Sequence, residues 1–323
     1  MLSRIRTASS TSSRTRLTAS ALLATALVSV PLLSACGSSS DEEAGDTLTF
    51  AAVPAESSQS LQSDYENIAK LIEQEAGVKV EFQNASDYAA VIEGQRAGKI
   101  DVASYGPFSY VIAKDSGVPI EAIASPTNDK EKAPAYTSLA YVTKDSDIAS
   151  LADAKGKNVC FVDPGSTSGY LIPTKGLMDE GMDPEKDVTP VMAGGHDASL
   201  LTLKDGGCDI AFAHDAMLKT LEKSGQIEAG TLKSVWESDP ITEDPIAINT
   251  STVDEETAEK ISTAIREKAN KPALVEAGIC TSEEECTLPE EIEWGYLPVK
   301  DSDFDAIRET CKVTNAEACK AVS

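Results

Sequence analysis

Three consecutive hydroxyl residues, Ser166, Thr167 and Ser168, lie in the segment Asp163-Pro164-Gly165-Ser166-Thr167-Ser168-Gly169-Tyr170. A buried-type apolar run precedes them and a helical pattern through Leu171 and Leu177 follows. They therefore stand at a helix N-terminus, where the first N–H groups have no intrahelical partner and the helix dipole is positive. Such a place favours an anion, and Ser/Thr hydroxyls add donors that match the oxygens of a tetrahedral centre. The plain alternative is capping, since one Ser or Thr at a helix start needs no ligand. Nucleophilic chemistry fits poorly, because the middle of Gly165-Ser166-Thr167-Ser168-Gly169 is threonine where a Gly-x-Ser-x-Gly elbow needs serine. A phosphate-cradling P-loop is excluded by the missing Gly-Lys-Ser/Thr ending.

The elements around this segment alternate between β-type and helical patterns, which predicts an α/β fold. Leu48 to Val53 and Val78 to Phe82 read as strands flanking a helix whose face carries Tyr65, Ile68, Ala69, Ile72 and Ala76, with Gly77 as its stop. A second helix is capped by Asp87 and runs through Val91 and Ile92 to Gly98, and Ile100 to Ala103 is the next strand. After Pro119 to Ala124, the run Tyr136 to Val142 is taken as a crossing into a second series of βα units: Asn158 to Val162, Val188 to Met192 and Cys208 to Phe212. Leu232 to Trp236 is expected to be the return crossing, and Pro245 to Ile248 rejoins the first unit. Two crossings between two α/β lobes leave a cleft outside strand ends, where such folds bind ligands. The boundaries that follow are 47–138 with 243–323 for one lobe and 139–242 for the other, crossings included.

Ahead of these lobes, Arg4, Arg6, Arg14 and Arg16 precede an apolar run from Leu17 to Leu33, too short and too rich in Ala and Ser for a membrane span. This is a secretion signal over 1–35. It ends in Leu33-Ser34-Ala35-Cys36, which resembles a lipoprotein lipobox, so Cys36 is expected to carry lipid that holds the protein at the membrane surface. The small, acidic stretch to Asp46 reads as a flexible tether over 36–46. The full chain has 28 Lys+Arg, 53 Asp+Glu and a net charge of −25; loss of the signal's four arginines takes this to −29. Nucleic acid is excluded as a partner. A small anion is not, because surface charge is screened beyond about 8 Å while dipoles in a dry site are not.

Six cysteines remain after Cys36: Cys160, Cys208, Cys280, Cys286, Cys311 and Cys319. An even number in an exported chain points to three disulfides. Cys280 with Cys286 and Cys311 with Cys319 can close small loops, leaving Cys160 and Cys208 to pair across neighbouring strands, although connectivity is not determined by sequence. No Cys-x-x-Cys or His-x-x-x-His spacing occurs, so neither a metal nor a cofactor is expected.

The ordered motifs Val53-Pro54-Ala55-Glu56-Ser57, Asp87-Tyr88-Ala89-Ala90-Val91, Tyr105-Gly106-Pro107, Tyr136-Thr137-Ser138, Ser166-Thr167-Ser168-Gly169-Tyr170 with Pro173, Gly194-Gly195-His196-Asp197-Ala198, Asp244-Pro245-Ile246 and Gly295-Tyr296-Leu297-Pro298-Val299 span most of the mature chain. Together they resemble the binding proteins of phosphonate, phosphite and phosphate ABC importers, the PhnD-like family. The resemblance implies a type II two-lobed periplasmic-binding-protein fold, a monomer, and an ABC permease with its ATPase as partners. It implies binding without turnover, with the phosphorus oxygens held by Ser166, Thr167, Ser168, Tyr88, Tyr136, His196 and Asp244. Singly, Tyr88 could be a core residue at a helix start, His196 an exposed loop residue and Asp244 a turn residue before proline.

An ionised Asp244 would repel a bare phosphorus oxygen in a water-poor cleft, so it demands a hydrogen on the ligand, either P–OH or an ammonium. Relatives selective for aminoalkylphosphonates are expected to carry a further acid where this chain has Ala216, with Asp215 one residue away. Phosphate, phosphite or a small phosphonate is therefore the expected ligand. Two rivals stand beside it: an exported hydrolase or phosphatase using Ser166, His196 and Asp244, and an anion sensor on the same fold.

Overall fold

The computed structural model describes residues 47–55, 58–289 and 292–322. The signal, Cys36, the tether and the pair Glu56-Ser57 lie outside the described residues. Among the described residues no helix is long and apolar enough to cross a membrane.

β1 (Thr47–Ala52) begins a mixed sheet, sending Phe50 to one face and Ala51 to the other as the two-residue period of a strand requires. β2 (Lys79–Gln83) and β3 (Val102–Ser104) lie parallel on either side of it, and β4 (Ile120–Thr127) follows. The helices between them are α1 (Ser58–Asp64), α2 (Glu66–Ala76), α3 (Tyr88–Arg96) and α4 (Pro107–Asp115). Gly77 closes α2 at φ 73°, a left-handed cap that returns its N–H to Glu73 O. Asp87 caps α3 by accepting from Ala90 N at 2.8 Å. The one helix expected around Tyr65 is two. Tyr65 occupies the junction, where its hydroxyl donates to Ser104 Oγ at 2.7 Å in the core.

The chain then crosses through β5 (Ala135–Tyr136) into a second mixed sheet made of β6 (Ser138–Thr143), β7 (Asn158–Phe161), β8 (Thr189–Met192), β9 (Ile210–His214) and β10 (Leu232–Glu237), in the order β10-β6-β9-β7-β8. It carries α5 (Ile172–Asp179), α6 (His196–Lys204) and α7 (Met217–Lys223). The return runs through β11 (Ile241–Thr242), which pairs antiparallel with β5. β12 (Ile246–Asn249) then inserts antiparallel between β3 and β4, and α8 (Glu255–Lys268), α9 (Lys271–Glu276), β13 (Gly295–Pro298) and α10 (Asp305–Thr314) finish the first lobe. The first sheet has the order β13-β4-β12-β3-β1-β2.

Two expectations about the crossings are corrected. Leu232 to Trp236 is not the return: it is the edge strand β10, antiparallel to β6 with Leu232 opposite Thr143. The run from Tyr136 to Val142 is divided at Thr137 between the β5–β11 ribbon and the second sheet. Both errors have one cause, since a strand's partner is non-local and its apolar pattern says only that it pairs.

Each sheet is covered on both faces. Phe50, Ile68, Leu71 and Ile261 pack together on one side of the first sheet, while Ala51, Val91, Tyr105 and Phe108 pack on the other. In the second sheet Val159 and Phe161 face one cluster and Cys160 the opposite one. The cysteines pair as Cys160–Cys208, Cys280–Cys286 and Cys311–Cys319. The lobes touch, for Tyr88 and Phe108 share a single apolar cluster with Val162 and Leu171.

Candidate functional site

The second-lobe wall is built by the turn after β7. Asp163 bends it by accepting from Gly165 N at 2.7 Å through Oδ1 and from Ser166 N at 2.9 Å through its backbone carbonyl. Ser166 then caps the wide helical turn Thr167–Leu171, its Oγ accepting from Gly169 N at 3.1 Å. Gly169 is demanded by packing, because a Cβ there would lie 2.3 Å from Val162 Cγ2. All three hydroxyl residues are buried. Thr167 faces the other lobe directly: its Oγ1 accepts from Phe108 N, in the first turn of α4, at 2.9 Å. Its hydroxyl hydrogen remains able to donate. Ser168 is steadied from beneath, its carbonyl accepting from Ser138 Oγ at 2.6 Å.

His196 begins α6 and is buried. Its backbone N donates across the lobes to Ala55 O at 2.7 Å. Its ring Nδ1 accepts from His214 N at 3.1 Å, which places the ring proton on Nε2, 3.4 Å from Ser166 Oγ. Burial, with His214 beside it, holds the imidazole well below its usual pKa and therefore neutral. This tautomer removes the hydrolase alternative. A general base must offer Ser166 a lone pair, and His196 offers it a proton.

The first-lobe wall holds Tyr88, Tyr136 and Asp244. Tyr88 opens α3 and is buried; its backbone N–H donates to the Asp163 carboxylate, and a Cβ at Gly165 would lie 3.1 Å from Tyr88 Cβ. Asp244 lies between the β11 ribbon and β12, with the Tyr136 phenol donating to its carboxylate. Asp244 Oδ1 is fully enclosed with no partner although the residue as a whole is only half-buried. Burial first, and the neighbouring Glu243 second, push its pKa well above the usual carboxylate range. Gly106 sits between the two walls: a Cβ there would be 3.2 Å from Thr167 Oγ1 and 4.0 Å from Asp244 Oδ2.

All seven sequence-derived residues thus lie along the contact between the lobes, although in different ways. Ser166 and His196 form one pair, Tyr136 and Asp244 another, and Tyr88 backs the loop at Gly165. Four other residues at this contact had no site role in the sequence reading: Gly106 and Ser138 were visible only within motifs, and His214 and Glu243 belonged to none. Ser138 and His214 face each other across β6 and β9, a pairing that nothing local in sequence signals. Among the described residues no group of three His, Cys, Asp or Glu could hold a metal ion.

The family described as "ABC transporter, phosphonate, periplasmic substrate-binding protein" matches residues 50–280. The Phosphate-import protein PhnD of Mycolicibacterium smegmatis is 41% identical over 92% of this chain and 97% of its own length. The Phosphonates-binding periplasmic protein of Escherichia coli is 32% identical over 64% of this chain and 61% of its own. Among solved structures, a binding protein component of an ABC phosphonate transporter from Pseudomonas aeruginosa superposes with a TM-score of 0.73 at 27% identity, covering 84% of this chain and 87% of that one. The two mixed sheets, the lobed architecture and this match over most of the chain lead to one conclusion: the protein belongs to the phosphonate family of extracytoplasmic substrate-binding proteins of ABC importers, which bind and do not turn over their ligand.

Proposed function

We propose that this protein captures a single tetrahedral phosphorus oxyanion, namely phosphate, phosphite or a small phosphonate, between its lobes and delivers it to an ABC permease and its ATPase. The observation that carries this is the disposition around Gly106, where a helix start lined by the buried Ser166, Thr167 and Ser168 faces the half-buried carboxylate of Asp244, one of whose oxygens is enclosed and unpartnered. Hydroxyls and N–H groups alone would serve any tetrahedral anion. A carboxylate beside them admits only a pair that shares a proton, held either by Asp244 or by the ligand, and that disfavours sulfate at neutral pH.

Tyr88 and the Nε2–H of His196 complete the donor set around the phosphorus, while Tyr136 spends its one phenolic proton on the Asp244 carboxylate and so orients it toward the anion. The body formed by 47–138 with 243–323 hinges against 139–242 through the β5–β11 ribbon, and the permease recognises the closed form. Lipid on Cys36 keeps the protein at the membrane while the tether over 36–46 lets the lobes reach the permease. The 41% identical mycobacterial protein, which imports phosphate by its name, favours phosphate among the candidates.

Thermal melting of extensively desalted protein tests this. Phosphate, phosphite, methylphosphonate or aminoethylphosphonate at a hundredfold excess over Kd should add about 3 kcal/mol of stability, while equal sulfate adds little. Equal stabilisation by sulfate, or none by any phosphorus anion, overturns the proposal.

A further inference from the structure

His214 ends β9, the central strand of the second sheet, opposite Ser138, whose hydroxyl supports the carbonyl of Ser168. Residues paired directly across two strands project to the same face, so the imidazole stands on the face that carries the hydroxyl loop. It lies edge to face with His196, ring centroids 4.8 Å apart at 75°, and the Nε2 of His196 is the atom that reaches Ser166. The backbone N of His214 sets the tautomer of His196, while its own Nε2 is buried with no partner, in a residue only 4% exposed. Buried polar atoms are paired in the great majority of cases, and each exception calls for a reason. Among the described residues three such side-chain atoms occur, and two of them belong to residues that touch site groups from opposite lobes, Asp244 through Tyr136 and His214 through His196.

We infer that His214 is a second imidazole contact of the bound anion, and that its Nε2 selects a ligand presenting oxygen rather than hydrogen or methyl to the second-sheet wall. This rests on the oxyanion site proposed above. The carboxylate on the opposite wall deals with the ligand's proton; the histidine deals with its fourth substituent. Burial lowers the pKa of His214 to about 4, so near neutrality the ring is uncharged and carries one proton, which an oxygen at Nε2 would hold on that nitrogen. An apolar substituent there would leave Nε2 desolvated and unpaired, and sites built to hydrogen-bond a group discriminate strongly against analogues without it. The preference that follows is phosphate over phosphite and methylphosphonate.

Calorimetric titration of wild type, His214→Phe and His214→Gln with phosphate and with methylphosphonate tests the inference. His214→Phe keeps a planar ring without nitrogen and should weaken phosphate about 10- to 100-fold while changing methylphosphonate by no more than about 3-fold. His214→Gln, which restores a donor, should recover part of the loss for phosphate alone. In wild type, a slowly exchanging Nε2–H signal of His214 should appear in nitrogen-edited NMR with phosphate and not with methylphosphonate, a readout that needs no variant to fold. Parallel losses for both ligands, or no signal with phosphate, would overturn the role of His214 and leave the oxyanion site intact. Failure of wild type to bind either anion would instead remove the site itself.

Discussion

Asp244 concentrates the chemistry of the site in one group. Its carboxylate accepts from Tyr136, lies beside the Glu243 charge and has one oxygen enclosed without a partner. Because its folded-state pKa is raised, the folded protein favours the protonated form. The stability this contributes is fully present below about pH 4 and is lost as pH climbs through the folded value. Asp244→Asn should therefore be more stable than wild type at pH 8 and equal to it at pH 4, in urea unfolding at the two pH values. The same variant should flatten the pH dependence of phosphate affinity and narrow the gap between phosphate and sulfate. A pH profile unchanged from wild type would show that Asp244 takes no part in the shared proton.

At the scale of elements, two helix starts approach each other from different lobes, and Thr167 joins them by receiving the Phe108 N–H of α4. Thr167→Val keeps the shape and removes this acceptor from a buried donor. It should cost about 1–2 kcal/mol in equilibrium unfolding and weaken the anion as well, since it strips one donor from the loop. A loss of affinity with no loss of stability would mean that the cross-lobe bond does not form in solution. The disulfide Cys160–Cys208 closes 48 residues around the same wall, tying β7 to the approach of β9. Chain-entropy arguments give about 4 kcal/mol for a loop of that size, so Cys160→Ala with Cys208→Ala should lower the unfolding midpoint markedly. An unchanged midpoint would rule out the bond. The hydroxyl run, the Asp87 cap and the Gly77 stop were legible in sequence because each acts within one turn of its own helix. The division of one expected helix into α1 and α2 at Tyr65 was not, and the side-chain partner of that residue, Ser104, is 39 residues away.

For the whole molecule, burial of both histidines acts in the opposite sense to Asp244. Their folded-state pKa values are depressed, so stability from them is present above about pH 6.5 and falls as pH drops through the window down to about 4, the value for His214. His214 alone accounts for about 3 kcal/mol over that window. Thermal melts of ligand-free protein should show a steep loss of stability between pH 6 and 4 that His214→Gln partly abolishes. A midpoint independent of pH in that range would contradict the burial of these rings.

Export, the α/β class, the six cysteines that follow Cys36 and the hydroxyl-lined helix start were all legible in the sequence alone. Leader composition, apolar period and capping depend on residues close together in the chain, and the family motifs add an order that any fold must respect. Only the tertiary structure decided that the return crossing is the two-residue β11 and not Leu232 to Trp236, that His196 presents a proton to Ser166, and that His214 and Glu243 border the site. These depend on which strands pair and on what each buried group can reach. Partners 18 to more than 100 residues apart leave no periodic trace, because burial and hydrogen-bond geometry exist only once the lobes have packed.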